Sequence, residues 1–167
     1  KLKDNPQVLN GPFFGLKYPG IKSFGSSTYP KLIGSYEAEL AENMKFFASN
    51  DYDKIFIIGC AEGYYCNGFG LISNNSLIYC FDIDNDAIKA CKEMSNLNNL
   101  SNKVKSFNKE FTVEEFKVTK DEKILIICDI EGEEEYLFSE ENIKYFKTVD
   151  LVIECHDYGS VGLTKKL

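Results

Sequence analysis

Residues 55–63, IFIIGCAEG, constrain the fold more than any other stretch of this chain. Four apolar residues run into a glycine loop, and the pattern turns helical from Tyr64 onward. Such a run suits a strand covered on both faces, the setting of a parallel sheet. A glycine loop between that strand and a helix is where open α/β sheets bind nucleotide-like ligands. The plainer alternative is a tight turn that holds nothing.

The loop discriminates between ligands. A dinucleotide fingerprint needs G-x-G-x-x-G, but Gly59 and Gly63 are spaced G-x-x-x-G. Gly63 and Gly68 have the spacing of a P-loop, yet Phe69 stands where its lysine belongs. Glu62 lies in the turn, where a carboxylate repels pyrophosphate and tolerates a cationic ligand. S-adenosylmethionine fits that demand, with a sulfonium, an ammonium and one carboxylate. Backbone N–H groups at the start of the following helix suit that carboxylate.

A second strand is expected over 77–82, in LIYCFDID. Asp82 lies 23 residues after Gly59. An acidic side chain about 20 residues past the loop accepts hydrogen bonds from ribose hydroxyls. Asp82 is the first candidate for that role and Asp84 the second. Asp84, Asn85 and Asp86 equally suit the N-terminus of the next helix, so Asp84 reads mainly as a cap.

The chain has 167 residues, which argues for one domain with a sizeable core. It has no arginine, 19 lysines and a formal charge of -7, which argues against a long nucleic-acid substrate. No apolar run approaches the roughly 18 residues a membrane span needs. There is no signal peptide, and Lys1 is not an initiating residue, so an upstream segment is expected. Six cysteines appear (Cys60, Cys66, Cys80, Cys91, Cys128 and Cys155) with no C-x-x-C pair. They read as reduced, small hydrophobes in a cytoplasmic protein.

Residues 1–34 form an irregular segment, rich in Gly, Pro, Ser and aromatics, with no period over 1–30. Phe13, Phe14, Tyr18, Phe24 and Tyr29 suggest a lid or acceptor wall, or packing on the sheet. Residues 35–167 are expected to be the ligand-binding domain. A helix is expected over 35–49, with Leu40, Met44 and Phe47 on one stripe. Strand and helix then alternate: strands over 54–58, 77–82, 103–107, 123–129 and 150–155, helices over 64–72 and 86–97, and a capping-box turn at Thr112 and Glu115. Repeated βα units imply a Rossmann-like, doubly wound, mostly parallel sheet with helices on both faces. The acidic run Glu131, Glu133, Glu134 and Glu135 follows the fourth strand. It reads either as a solvated helix start or, for Glu131, as part of a site at the strand's carboxyl end.

With these motifs assembled, the chain resembles the class I S-adenosylmethionine-dependent methyltransferases, and among them the FkbM-type branch. The matching residues are Gly59-Cys60-Ala61-Glu62-Gly63, Phe81-Asp82-Ile83, and Asp129-Ile130-Glu131-Gly132-Glu133-Glu134. The resemblance covers roughly residues 11–158. It implies that Gly59, Cys60, Ala61, Gly63 and Tyr65 line the methionine part, and that Asp82, beside Ile83, takes the ribose. Residues 108–111 would pass near the adenine, and Asp129 near the methyl donor. Two departures stand out. Ile57 occupies the position, two before the first glycine, where this class carries Asp or Glu; Glu62 would have to compensate. The class also has seven strands, whereas this chain ends soon after its fifth. An edge left uncovered there invites association, so a homo-oligomer is one expectation.

Methyl transfer needs an aligned acceptor and, for an oxygen acceptor, a base. His156 is the only histidine, it follows the fifth strand, and its ordinary pKa suits proton transfer. Asp129, Glu131, Glu154 and Asp157 surround it in sequence or motif as orienting groups or substitutes. No metal is assigned; a divalent cation on Asp129, His156 and Asp157 is the alternative to a base. The expected activity is therefore O-methylation of a small molecule or saccharide. A nicotinamide-dependent oxidoreductase and a non-catalytic cofactor-binding relative are the competing readings.

Overall fold

The computed structural model describes residues 6–22, 24–115 and 121–156. Five strands form one sheet: β1 (Lys54–Ile58), β2 (Leu77–Asp82), β3 (Val104–Asn108), β4 (Ile124–Cys128) and β5 (Asp150–Ile153). Their order is β3-β2-β1-β4-β5, and every pairing is parallel. The chain builds outward from β1 to β3, then returns to place β4 on the other side of β1. The order therefore reverses between β1 and β4, which is the switch point where such sheets take ligands. This is the expected doubly wound α/β fold.

The apolar runs explain the central strands. β4 is buried at every position and β1 at all but the first. Alternate residues serve two cores. Ile55, Ile57, Ile78, Cys80, Leu125 and Ile127 face one cluster; Phe56, Ile58, Phe81, Ile124, Ile126 and Cys128 face the other.

The first core is closed by helices α1 (Thr28–Ile33), α2 (Ala41–Ala48), α3 (Tyr64–Ile72) and α4 (Asn85–Leu97). α4 starts where Asp84 accepts from the N–H groups of Asp86 and Ala87, so Asp84 is a cap as its sequence context suggests. It buries Ala87, Ile88, Cys91 and Met94 at helical spacing. The second face differs from expectation. Among the described residues it carries only the single turn α5 (Glu134–Leu137) and 3-10 turns at Val113–Glu115 and Ile143–Tyr145. Aromatic contacts fill that side: Phe56 stacks on Tyr79 at 5.2 Å, and Phe81 stacks on Phe107 at 5.0 Å and meets Phe111 edge-on at 5.1 Å.

Two further expectations change. The helix expected over 35–49 begins only at Ala41, after a 3-10 turn, because Glu37 takes a positive φ of 45°. The N-terminal segment is neither wholly irregular nor peripheral. It contains α1, and Val8, Phe13, Leu16 and Tyr18 join the first core at 0–2% exposure. Phe13 packs edge-on against Tyr64, Tyr65 and Phe69 of α3. Among the described residues, no helix is long and apolar enough to cross a membrane.

Candidate functional site

A cleft of about 1310 Å³ opens at the carboxyl ends of β1, β2, β4 and β5. Gly59 makes it possible. Its φ is +77°, and a Cβ there would lie 1.6 Å from the Asp129 carbonyl oxygen. Only glycine lets the loop after β1 lie against the loop after β4. Gly59 and Cys60 donate their N–H groups to the Phe81 carbonyl, Asp129 donates to Ile58, and Glu154 donates to Cys128. The strand ends are thus tied into one rim.

Gly59, Cys60, Ala61, Tyr65, Asp82, Ile83, Asp129, Glu131 and His156 all line the cleft. Ile83 is 79% exposed, an apolar surface presented to the opening. Gly63 does not line it; it caps α3 at φ 92°. The first N–H groups of α3 have no intrahelical acceptors and face this end of the loop. Lys109, Glu110 and Phe111 line the cleft, whereas Asn108 braces the rim by donating to the carbonyls of Asp82 and Ile83.

Glu62 lies elsewhere than its motif suggests. It is 1% exposed and forms a 2.5 Å ion pair with Lys31, itself 3% exposed, and it accepts from the Phe24 N–H. Its charge is neutralised inside the protein, so it does not face a ligand, and its repulsion of phosphate is cancelled. Asp82 also has structural work. Its oxygens accept from the N–H groups of Ala61 and Asp84, each at 2.8 Å, and tie the two loops together. Each carboxylate oxygen has a second lone pair, so acceptor capacity toward the cleft remains. Ile57 belongs to the first core at 2% exposure, a position where a carboxylate would need its own partner.

Glu37, Asp129, Glu131 and Glu154 gather negative charge in the cleft, which Asp82, Glu110 and other acidic side chains also line. Glu37 accepts from the Tyr65 hydroxyl. Burial, then the charges of Glu154 and Glu131, push the Asp129 carboxyl up to about 6. Its Oδ1 is buried and has no hydrogen-bond partner among the described residues. Burial and the neighbouring Glu37 push Glu154 upward as well.

His156 sits at the centre, 8% exposed. Its Nδ1 lies 3.0 Å from Glu134 Oε1. Its Nε2 faces Asp129, Glu131 and Glu154 at 3.7–3.8 Å. Burial lowers the His156 pKa, but the Glu134 hydrogen bond and the surrounding carboxylates outweigh it and raise the value above 6.5. Glu134 is fully buried, which favours its neutral form. Hydrogen bonds from His156 and from the N–H groups of Gly132 and Ile130 outweigh burial and hold it below the usual range. The turn that delivers Glu134 is strained, with Glu131 at φ 57° and Gly132 at φ 110°. Ligand atoms of Asp129, Glu154 and His156 lie within 4.8 Å of one another, close enough for a cation to bridge. Asp157, the third member of the sequence-based set, lies outside the described residues. Glu134, which holds His156, is the residue of this cluster that sequence reasoning passed over. Only its place in the DIEGEE stretch marks it, since its neighbours carry the same charge.

No protein-family model matches the sequence, and no curated protein matches it. Solved structures do. The METTL16 methyltransferase domain is 13% identical with a TM-score of 0.56, over 86% of this chain and 72% of that one. A putative methyltransferase from Escherichia coli is 14% identical with a TM-score of 0.52, over 90% and 77%. An S-adenosylmethionine-dependent O-methyltransferase from Thermotoga maritima is 14% identical with a TM-score of 0.52, over 75% and 48%. The chain thus spans about half the length of the last. At these identities the likeness establishes the fold, a Rossmann-like methyltransferase fold, and nothing finer.

Proposed function

We propose that this chain is an S-adenosylmethionine-dependent methyltransferase that methylates a hydroxyl oxygen of a small molecule or saccharide. The observation that carries the reading is the union of an acidic, phosphate-unfriendly cleft at the switch point with an oriented histidine at its centre. The FkbM-type assignment rests on the three sequence motifs. The residues present fit the donor. Glu37, Asp129, Glu131 and Glu154 give a field that favours a sulfonium and an ammonium. Asp82 offers its remaining lone pairs to ribose hydroxyls, and Ile83 offers an apolar face to a base. The α3 N-terminus suits a carboxylate.

When bound, the donor supplies an electrophilic methyl group on a good leaving group. The protein's part is alignment and proton removal. Glu134 fixes the tautomer of His156 by accepting from Nδ1–H, which leaves Nε2 to take the acceptor's hydroxyl proton. Asp129 and Glu154 stabilise the imidazolium that results. With the donor held by the loop after β1 and by Asp82, its methyl group would pass to the oxygen that His156 deprotonates, and its sulfur would leave as a neutral thioether.

Calorimetry of the full chain with S-adenosylhomocysteine tests the donor site. Saturable binding that weakens at least about tenfold in Asp82→Ala is expected, since two ribose hydrogen bonds are at stake. No binding, with tight binding of NADH instead, would replace the proposal by the oxidoreductase reading. With an acceptor in hand, His156→Ala is expected to lower kcat by about 10²–10⁴ and leave donor affinity unchanged. Activity should not require added Mg²⁺. Loss in chelator and recovery in Mg²⁺ would reassign Asp129, Glu154 and His156 from proton transfer to cation binding.

A further inference from the structure

Away from the acidic rim, the chain's other concentration of reactive groups is sulfur. Cys60 in the glycine loop, Cys66 in α3, Cys80 in β2 and Cys91 in α4 are 5%, 0%, 0% and 0% exposed. The Sγ atoms of Cys60, Cys66 and Cys91 lie within 4.8 Å of one another. The Cys80 thiol of β2 lies beside this group, outside the set of mutually close sulfurs. Three thiols from three elements thus meet at one point, with Cys80 next to them. Their sequence spacing contains no C-x-x-C pair, so the group forms only in the fold.

The surroundings orient these sulfurs. Gly63 stands over Cys91, and a Cβ there would lie 2.6 Å from its Sγ. Asn67, fully buried, donates Nδ2 to the Gly63 carbonyl, the Cys91 carbonyl and, at 3.8 Å, the Cys91 sulfur. Its Oδ1 accepts from the Ser95 hydroxyl at 2.7 Å. A buried amide that holds a thiol by N–H···S contact is the kind of support that thiolate ligands of metals receive.

We propose that Cys60, Cys66 and Cys91 form a buried three-sulfur site for a soft cation, with Cys80 beside it as the fourth ligand that a tetrahedral metal such as Zn²⁺ would draw in, and that the cation clamps the glycine loop to α3 and α4. A tetrahedral zinc with sulfur at about 2.3 Å places its sulfurs roughly 3.8 Å apart. Cys60, Cys66 and Cys91, within 4.8 Å of one another, would draw together by at most about 1 Å to reach that, and Cys80 would move further. Thiolate donors select Zn²⁺ or Cu⁺ over Mg²⁺ and Ca²⁺. The thiol protons leave to solvent as the metal–sulfur bonds form. Cys60 follows Gly59 and lines the cleft, so the clamp would fix the loop that the donor must contact. The site does not depend on the methyl-transfer reading, and its test uses no cofactor.

The test is titration of the reduced, metal-stripped full chain with Co²⁺ alone, followed by Zn²⁺. Expected is saturation near one equivalent with thiolate-to-cobalt charge-transfer absorption, which Zn²⁺ then bleaches. Zn²⁺ should also raise Tm, and a chelator should return it. Cys91→Ala and Cys66→Ala should lose the absorption, while Cys155→Ala, which lies outside the group, should keep it. Co²⁺ at Asp129, Glu154 and His156 would give no sulfur charge-transfer band, so the two locations are distinguishable. Absence of the band in the folded wild-type chain overturns the proposal without recourse to variants. A band of unchanged intensity in Cys91→Ala also overturns it.

Discussion

Asp129 shows how the cleft trades stability for reactivity. Its folded pKa, pushed up to about 6, lies above the unfolded value near 3.9, so ionisation opposes folding. The stability tied to its neutral form is full below about pH 4 and is lost as pH rises through about 6. Asp129→Asn is therefore expected to raise Tm at pH 8 and to change it little near pH 4. The side chain is 39% exposed, so solvent screening reduces the gain to about 1 kcal/mol, or roughly 2–4 °C. Thermal melts at the two pH values check this, and an equal shift at both would contradict it. His156 has the matching kinetic consequence. Its base form exists only above its raised pKa, so methyl transfer should fall as pH drops through a value above 6.5 and reach a plateau above it. Gly59 and Asp84 were legible in the sequence because their roles are local, a left-handed turn and a helix cap. The true role of Glu62 was not, because its partner Lys31 lies on a different element and only the fold buries the two together.

At the scale of elements, the Lys31–Glu62 pair joins α1 to the loop that precedes α3. Both charges are almost fully buried, and the Lys31 ammonium also lies 5.0 Å from the Tyr36 ring centroid. Removing one partner leaves an uncompensated buried charge, which costs about 3–5 kcal/mol. Replacing both by apolar residues removes that penalty together with the pair. Lys31→Met and Glu62→Leu should each destabilise strongly, while the double variant should recover most of the loss. Denaturant titration of all four proteins gives the coupling directly, and additive losses would show that the pair does not hold the two elements together. The strands were legible to within a residue or two because a continuous apolar run leaves few alternatives. α2 was not, because the period over 35–49 is compatible with a longer helix, and the positive φ at Glu37 is set by tertiary contacts. The short turns on the second face were illegible for a related reason. Stacked Phe56 and Phe81, with Phe111 edge-on to both, close that side without a helical period to announce the cover.

At the scale of the molecule, the sequence suggested a ligand-binding domain preceded by a covering segment, and the structure joins the two in one core. Val8, Phe13, Leu16 and Tyr18 are buried with α3 and α4 rather than laid over the cleft opening. Phe13 sits against Gly68, where a Cβ would lie 2.5 Å from its ring, so helix and segment are shaped to each other. Each of these side chains contributes about 2 kcal/mol by burial. Together that is about 8 kcal/mol, comparable to the whole stability of a domain, roughly 5–15 kcal/mol. Deleting residues 1–22 should therefore abolish the cooperative thermal transition and expose an apolar surface that binds a hydrophobic dye. A segment that only covers the ligand would give the opposite result: an unchanged Tm and weakened ligand affinity. Phe24, Gly25 and Ser26, which line the cleft next to α1, lie beyond the deletion and inherit their position from the buried part before them. The segment thus shapes one wall of the cleft through the stability it contributes, and a truncation cannot separate that from a covering role. A point substitution can. Phe13→Ala should cost about 3–5 kcal/mol with the cleft-lining residues intact, and donor affinity measured well below the lowered Tm should stay close to that of the parent.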